Sequence, residues 1–212
     1  MRTAPRMLAA VGAAAVLTLT ACSSNDHNAA GGSHSTSTSP SPTVSSSSAQ
    51  AGTDRNPADV TFATGMIPHH GQAIAMADMA VKQASNRQVK RLAAEIKAAQ
   101  GPEITTLSGW LKAWGAPVPS VSMPAGHDMG GHGGMTGMMS AAEMQQLEAA
   151  SGMAFDKLWL EMMIKHHQGA IEMAKTELAS GQNQPAKALA QSISTSQAKE
   201  IATMQALLSS LS

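Results

Sequence analysis

Cysteine occurs once in this 212-residue chain, as Cys22, which excludes an intrachain disulfide and a multi-thiolate metal cluster. Tyrosine is absent and there are only two phenylalanines, so the stacking platforms that hold nucleic-acid bases are missing. Charged residues are 13% of the chain and sum to zero, leaving no basic face to neutralise phosphates. No stretch alternates like a strand, and no sheet is expected. Hydrolase signatures and phosphate-binding glycine loops are also lacking.

Methionine, by contrast, is abundant, with 16 residues. The chain begins with Arg2 and Arg6 ahead of an apolar run from Met7 to Leu19, too short for an ordinary membrane span. It has the form of a secretory h-region and ends Leu19-Thr20-Ala21-Cys22, like a bacterial lipobox. Residues 1–21 therefore read as a lipoprotein signal. Lipidated Cys22 would anchor the exported protein to the outer face of the cell membrane. A plain signal peptide with an incidental cysteine is the alternative. Residues 22–55 are rich in Ser, Thr, Gly and Pro and too poor in large apolar groups to offset ordering entropy, so they read as a flexible tether. His27 and His34 within it read as incidental.

The folded part, residues 56–212, is a tandem repeat. Residue i aligns with i+97 without a gap from Asp59–Trp114 to Asp156–Leu211, and about a third of the positions are identical. Two copies of one motif stand out: Met66-Ile67-Pro68-His69-His70-Gly71-Gln72-Ala73-Ile74-Ala75-Met76 and Met163-Ile164-Lys165-His166-His167-Gln168-Gly169-Ala170-Ile171-Glu172-Met173. Each sets a His-His pair between two methionines. Imidazole and thioether are ligands that suit copper, the thioether especially in the reduced state.

Local signals give the helices. Asn56-Pro57 with Asp59 is a helix start, and Phe62, Met66, His69, Ala73, Met76 and Ala80 recur on one face, flanked by a stripe ending in Val81. Ser85 with Gln88 predicts a capping box for the second helix, which should stop near Gly115. Pro68 should kink the first helix, and Gly101-Pro102 should bend or split the second. Ser140 with Glu143 opens a short helix, Ser151-Gly152 breaks it, and a main helix runs from about Met153 to Ala179, with Gly181 ending it. The last helix begins near Pro185. Two hairpins, 56–115 and 141–212, should dock as an all-α four-helix bundle with approximate two-fold symmetry.

The candidate metal ligands are Met66, His69, His70 and Met76, with Met163, His166, His167 and Met173 in the second copy. Gln100, Glu103, Gln197 and Glu200 fall on the core stripes of the partner helices in the same register, where they would orient the imidazoles. Adjacent histidines point a quarter-turn or more apart, so one ion need not take both. Gap-filling core methionines and hydrogen-bonded core histidines are the alternative reading. Between the hairpins, loop 116–140 carries Met123, His127, Met129, His132, Met135, Met138 and Met139 among Gly, Ser and Pro. Such a tract reads as copper or silver capture, in one site with the core or in a separate one, with a plain linker as the alternative.

On these pieces, Asp59…Phe62…Met66 to Ala77 and Phe155-Asp156…Trp159…Met163 to Ala174, the chain resembles the family called domain of unknown function 305. That resemblance implies a ferritin-like four-helix bundle, export, and a copper role. The inverted order of Gly71-Gln72 against Gln168-Gly169 makes the first site differ from the second. The expected function is a membrane-anchored extracytoplasmic copper protein that buffers, sequesters or transfers Cu(I), with Ag(I) as a mimic, and not an enzyme. A copper donor or acceptor protein, and a homodimer, are left open as partners; nucleic acid is not expected. A ferroxidase-type metal oxidase is the enzymatic alternative, but Glu-x-x-His is missing from both motifs. The non-metal alternative is a helical interaction module whose imidazoles set register or sense pH.

Overall fold

In the computed structural model, residues 54–121 and 136–211 are described. The signal segment, Cys22, the tether through residue 53, and Met123, His127, Met129, His132 and Met135 lie outside the described residues. Five helices follow in order: α1 (Pro57–Gln83), α2 (Arg87–Ala113), α3 (Ala141–Ala149), α4 (Gly152–Ser180) and α5 (Gln184–Ser210). Among the described residues no helix is long and apolar enough to cross a membrane.

The caps explain the boundaries. The Asn56 side chain accepts from the Ala58 and Asp59 amides while Asp59 accepts from the Asn56 amide, a full capping box with Pro57 in the first turn. Ser140 and Glu143 form the same box at α3. Gly152 takes φ of 60°, so the chain turns there from α3 into α4. The predicted Ser85 box does not form. Asn86 caps α2 through the Gln88 and Val89 amides, and Ser85 is used elsewhere. Pro68 and Pro102 lie inside continuous helices, so Gly101-Pro102 does not split α2. Val81, placed on a buried stripe from its spacing, is 42% exposed near the end of α1.

α1 and α4 run antiparallel as the central pair, α2 packs on α1, and α5 packs on α4. α3 lies along α4, held by buried Leu147 and a Glu143–Lys165 ion pair at 2.9 Å. This is the expected all-α bundle of two tandem hairpins. Each hairpin turn is tied down by the other hairpin. Asp156 accepts from the Ser85 and Asn86 amides and from the Ser85 hydroxyl; Asp59 accepts from the Gln182 and Asn183 amides. Both aspartates are buried, and their amide partners relate by the same 97-residue offset.

The core divides in two. One apolar cluster joins Ala73, Met76, Ala77 and Ala80 of α1 to Val89–Ile96 of α2, Phe155–Met163 of α4 and Met204 and Leu207 of α5. The other joins Phe62–Ile67 to Leu107–Trp114, Ala170, Ala174 and Ala186–Ile193. Each buried Phe, Leu or Met contributes about 1.5–3 kcal/mol, so these clusters hold the bundle at both ends. Between them, at mid-height, each of the four long helices contributes polar residues: His69 and His70, Gln100 and Glu103, His166 and His167, Gln197 and Glu200.

Candidate metal centre

The central pair of helices sets the geometry of this polar band. With α1 and α4 antiparallel and related by the repeat, residues on the pseudo-two-fold axis meet their own counterparts. His69 and His166 are such a pair. Their ring centroids lie 3.8 Å apart at an interplanar angle of 40°, and both are buried. One turn before each histidine stands a fully buried methionine. Met66 belongs to one apolar cluster and Met163 to the other, so the imidazole pair is bracketed from both sides.

His70 and His167 face away from the axis, as adjacent helical positions must. His70 Nε2 lies 2.7 Å from Glu103 Oε2, and His167 Nε2 lies 2.6 Å from Glu200 Oε2. Each glutamate thus pairs with one imidazole across its hairpin. The glutamates are partly exposed at the rim, while both rings are fully buried. A carboxylate accepts, so in the neutral ring Nε2 carries the proton and Nδ1 the lone pair.

The band is left short of hydrogen bonds. Nδ1 of His69, His70 and His167, both ring nitrogens of His166, both polar side-chain atoms of Gln100 and the Gln197 oxygen are buried with no protein partner. Leaving such atoms unsatisfied costs about 1–3 kcal/mol each. Eight orphans in one layer is a heavy penalty unless something else binds there. Burial, followed by repulsion from the His70 ring, pushes the His69 pKa down to about 3. Burial, then His69, holds His166 well below the ordinary imidazole range. Both rings are therefore neutral at physiological pH, the form that binds metal.

This donor set fits a soft cation of low coordination number better than a hard one. Among the described residues no three His, Cys, Asp or Glu side chains gather as ligands for one ion. A nitrogen pair completed by thioether suits Cu(I) or Ag(I). Met76 sits fully buried in the first cluster, where its carbonyl accepts from Trp159 Nε1 at 2.9 Å; Met173 is only half-buried, against the second cluster.

The structure also shows residues that sequence reasoning passed over. Both ends of the interhairpin loop press on the His motifs. Gly71 has no room for a Cβ because the Val121 carbonyl lies over it, and Gly169 has none because of Thr136 and Gly137. Gln72 Nε2 donates to the Met139 carbonyl at 2.8 Å and its Oε1 accepts from the Met139 amide at 2.7 Å. The swapped Gly–Gln order thus has a cause: each copy needs a glycine where the loop crosses it, at different positions. Met139 itself is buried in the first apolar cluster, away from solvent, whereas Met138 is half-buried. Glu177 is the other omission. It is 1% exposed beside Asp59, where two carboxyls share the space that Ala80 and the Ser85 hydroxyl fill in the first hairpin.

The crystal structure of a DUF305 protein from Streptomyces coelicolor, described as secreted, is 34% identical, with a TM-score of 0.64 over 73% of this chain and 93% of that one. A DUF305 fragment from Deinococcus radiodurans is 31% identical, covers 73% and 97%, and gives 0.63. CopM in its Cu(II)-bound form is also 31% identical with the same coverages and a TM-score of 0.61, and CopM has been solved with Cu(I) and Ag as well. No curated protein matches. The family described as domain of unknown function (DUF305) matches residues 59–208, and on that span, with its two His-His motifs, the chain belongs to the DUF305 family.

Proposed function

We propose that this protein binds copper at the mid-bundle His69/His166 pair, as an exported protein that buffers or passes on Cu(I). The observation that carries the reading is the pair itself: two buried, neutral imidazoles on the repeat axis, with unpartnered nitrogens and a buried methionine one turn before each. Likeness to CopM, which has been solved with Cu(II), Cu(I) and Ag, supports it. The signal-like run ending at Cys22 supports export with a lipid anchor. Binding rather than catalysis is proposed because the two carboxylates of the band are already engaged by His70 and His167. The loop residues His127, His132 and the surrounding methionines would capture the ion before it reaches the band.

An anaerobic Cu(I) competition titration against a chromophoric chelator tests this. The parent protein should outcompete the chelator. A quadruple variant, His69, His70, His166 and His167 each to Ala, should lose about a hundredfold or more in affinity. Removing the loop Met and His residues should slow loading and leave the tight site in place. A parent that binds no tighter than a generic His-tagged control refutes the copper reading.

A further inference from the structure

We infer that Gln72 is a positioning residue for the copper site, clamping the end of the interhairpin loop so that His69 offers Nδ1, and not Nε2, to the ion. The inference rests on the copper reading above for its function, but its structural half stands alone.

Gln72 is 2% exposed on α1, one residue beyond the first Gly of the motif. Its carboxamide pairs with both main-chain groups of Met139, at 2.7 and 2.8 Å, so donor and acceptor are both used. That pair of hydrogen bonds fixes the chain three residues downstream of Thr136. Gly137, with φ of 85°, fits between: a Cβ there would meet the Lys165 carbonyl at 2.7 Å. Gly169 of α4 supplies the bare surface on which Thr136 and Gly137 rest. The outcome is a Thr136 carbonyl 3.3 Å from His69 Nε2.

A carbonyl is an acceptor only, and a neutral imidazole has one N–H and one lone pair. The proton therefore sits on Nε2, and Nδ1 is left as the ligand atom. The second hairpin has no such device. Its residue equivalent to Gln72 is Gly169, and His166 has a partner at neither nitrogen. One histidine of the pair is fixed in tautomer and orientation, and the other is free to adapt to the ion. A linkage of this kind, from amide to main chain to imidazole, acts as an outer partner of a ligand does.

Long-range 1H–15N correlation spectra of the metal-free full chain at pH 7 read the tautomers directly. His69 should be the Nε2–H form. In Gln72→Met, which keeps length and bulk, His69 should become a tautomer mixture while His70 and His167, held by glutamates, do not change. Cu(I) affinity should fall about tenfold with helicity unaltered. Gln72→Glu keeps length and the acceptor but loses the donor to Met139, and should move His69 in the same direction if the methionine variant folds poorly. An Nδ1–H His69 in the parent, or an unchanged His69 in a folded variant, overturns the inference while leaving copper binding intact. The expected tautomers in a parent that binds no Cu(I) would uphold the clamp and refute the copper reading.

Discussion

The two hairpins solve one problem with different chemistry. In the first, the turn after α1 is held by Asp156, which takes the Ser85 and Asn86 amides and the Ser85 hydroxyl. In the second, Gln182 replaces Ser85, and Asp59 takes the Gln182 and Asn183 amides without a hydroxyl. The space of the missing hydroxyl is filled from the last turn of α4. Glu177 stands where the first hairpin has Ala80, and Gly181, the counterpart of Ala84, leaves the space its carboxyl needs. Burial first, then the adjacent Asp59, pushes the Glu177 pKa up to about 8. Its carboxyl thus lies beside Asp59, where the first hairpin has the Ser85 hydroxyl against Asp156, but neither of its oxygens has a hydrogen-bond partner among the described residues. Burial would raise Asp59 too, but the Asn56, Asn183 and Gln182 amides and Glu177 outweigh it and hold its pKa below the ordinary value. A repeated backbone can thus carry one fixed brace and one that depends on pH.

The comparison breaks most severely if a brace is removed. Asp156→Ala leaves buried donors unsatisfied at the α1–α2 turn and should cost about 3–5 kcal/mol, read as a lower urea midpoint. Asp59→Ala should cost less, about 2–3 kcal/mol, because it also relieves the burden on Glu177. Equal losses would mean that the two braces are equivalent after all.

Next in size is the pH dependence of the second brace. Glu177 holds its proton more tightly when folded, about 8 against an ordinary 4.5. Its contribution is complete below about pH 4.5 and is lost as pH rises to about 8. Glu177→Gln keeps the size of the side chain and removes the titration. It should flatten stability over that window and raise it by about 2 kcal/mol at pH 8. The neutral, buried His69 works in the opposite direction, its share being lost as pH falls from 6.5 toward about 3. Chemical denaturation at several pH values separates the two, since only the alkaline limb should respond to Glu177→Gln.

The smallest effect concerns the aromatic pair. Trp159 donates Nε1–H to the Met76 carbonyl across the α1–α4 interface, and its counterpart Phe62 has nothing to donate. Trp159→Phe makes the hairpins alike and should cost about 1–2 kcal/mol in thermal or urea unfolding.

Much of this was legible from local pattern. The 97-residue offset shows on aligning the halves, while the Asn56-Pro57 and Ser140/Glu143 caps, the Gly152 break and the Gly181 stop are local signals, and local chemistry decided them. The His pairs were legible because polar side chains repeated in register on an apolar face are costly to bury unless a partner or an ion meets them there. Ser85 misled because Ser and Asn are both good caps, and a neighbouring helix needed the serine. Glu177 was passed over, although a buried alanine of one copy becoming an acid in the other was visible in the alignment of the two halves.

Sequence by itself therefore determined the helices, their pairing into two repeated hairpins, and the identity of the ligand candidates. These follow from period, caps and composition, which act within a few residues along the chain. Tertiary structure alone decided that His69 meets His166 while His70 and His167 turn to their glutamates. It also decided that Gln72 reaches Met139, and that Glu177 is buried beside Asp59. Each depends on how two antiparallel helices cross a common axis, and that crossing is set by packing between residues about a hundred positions apart.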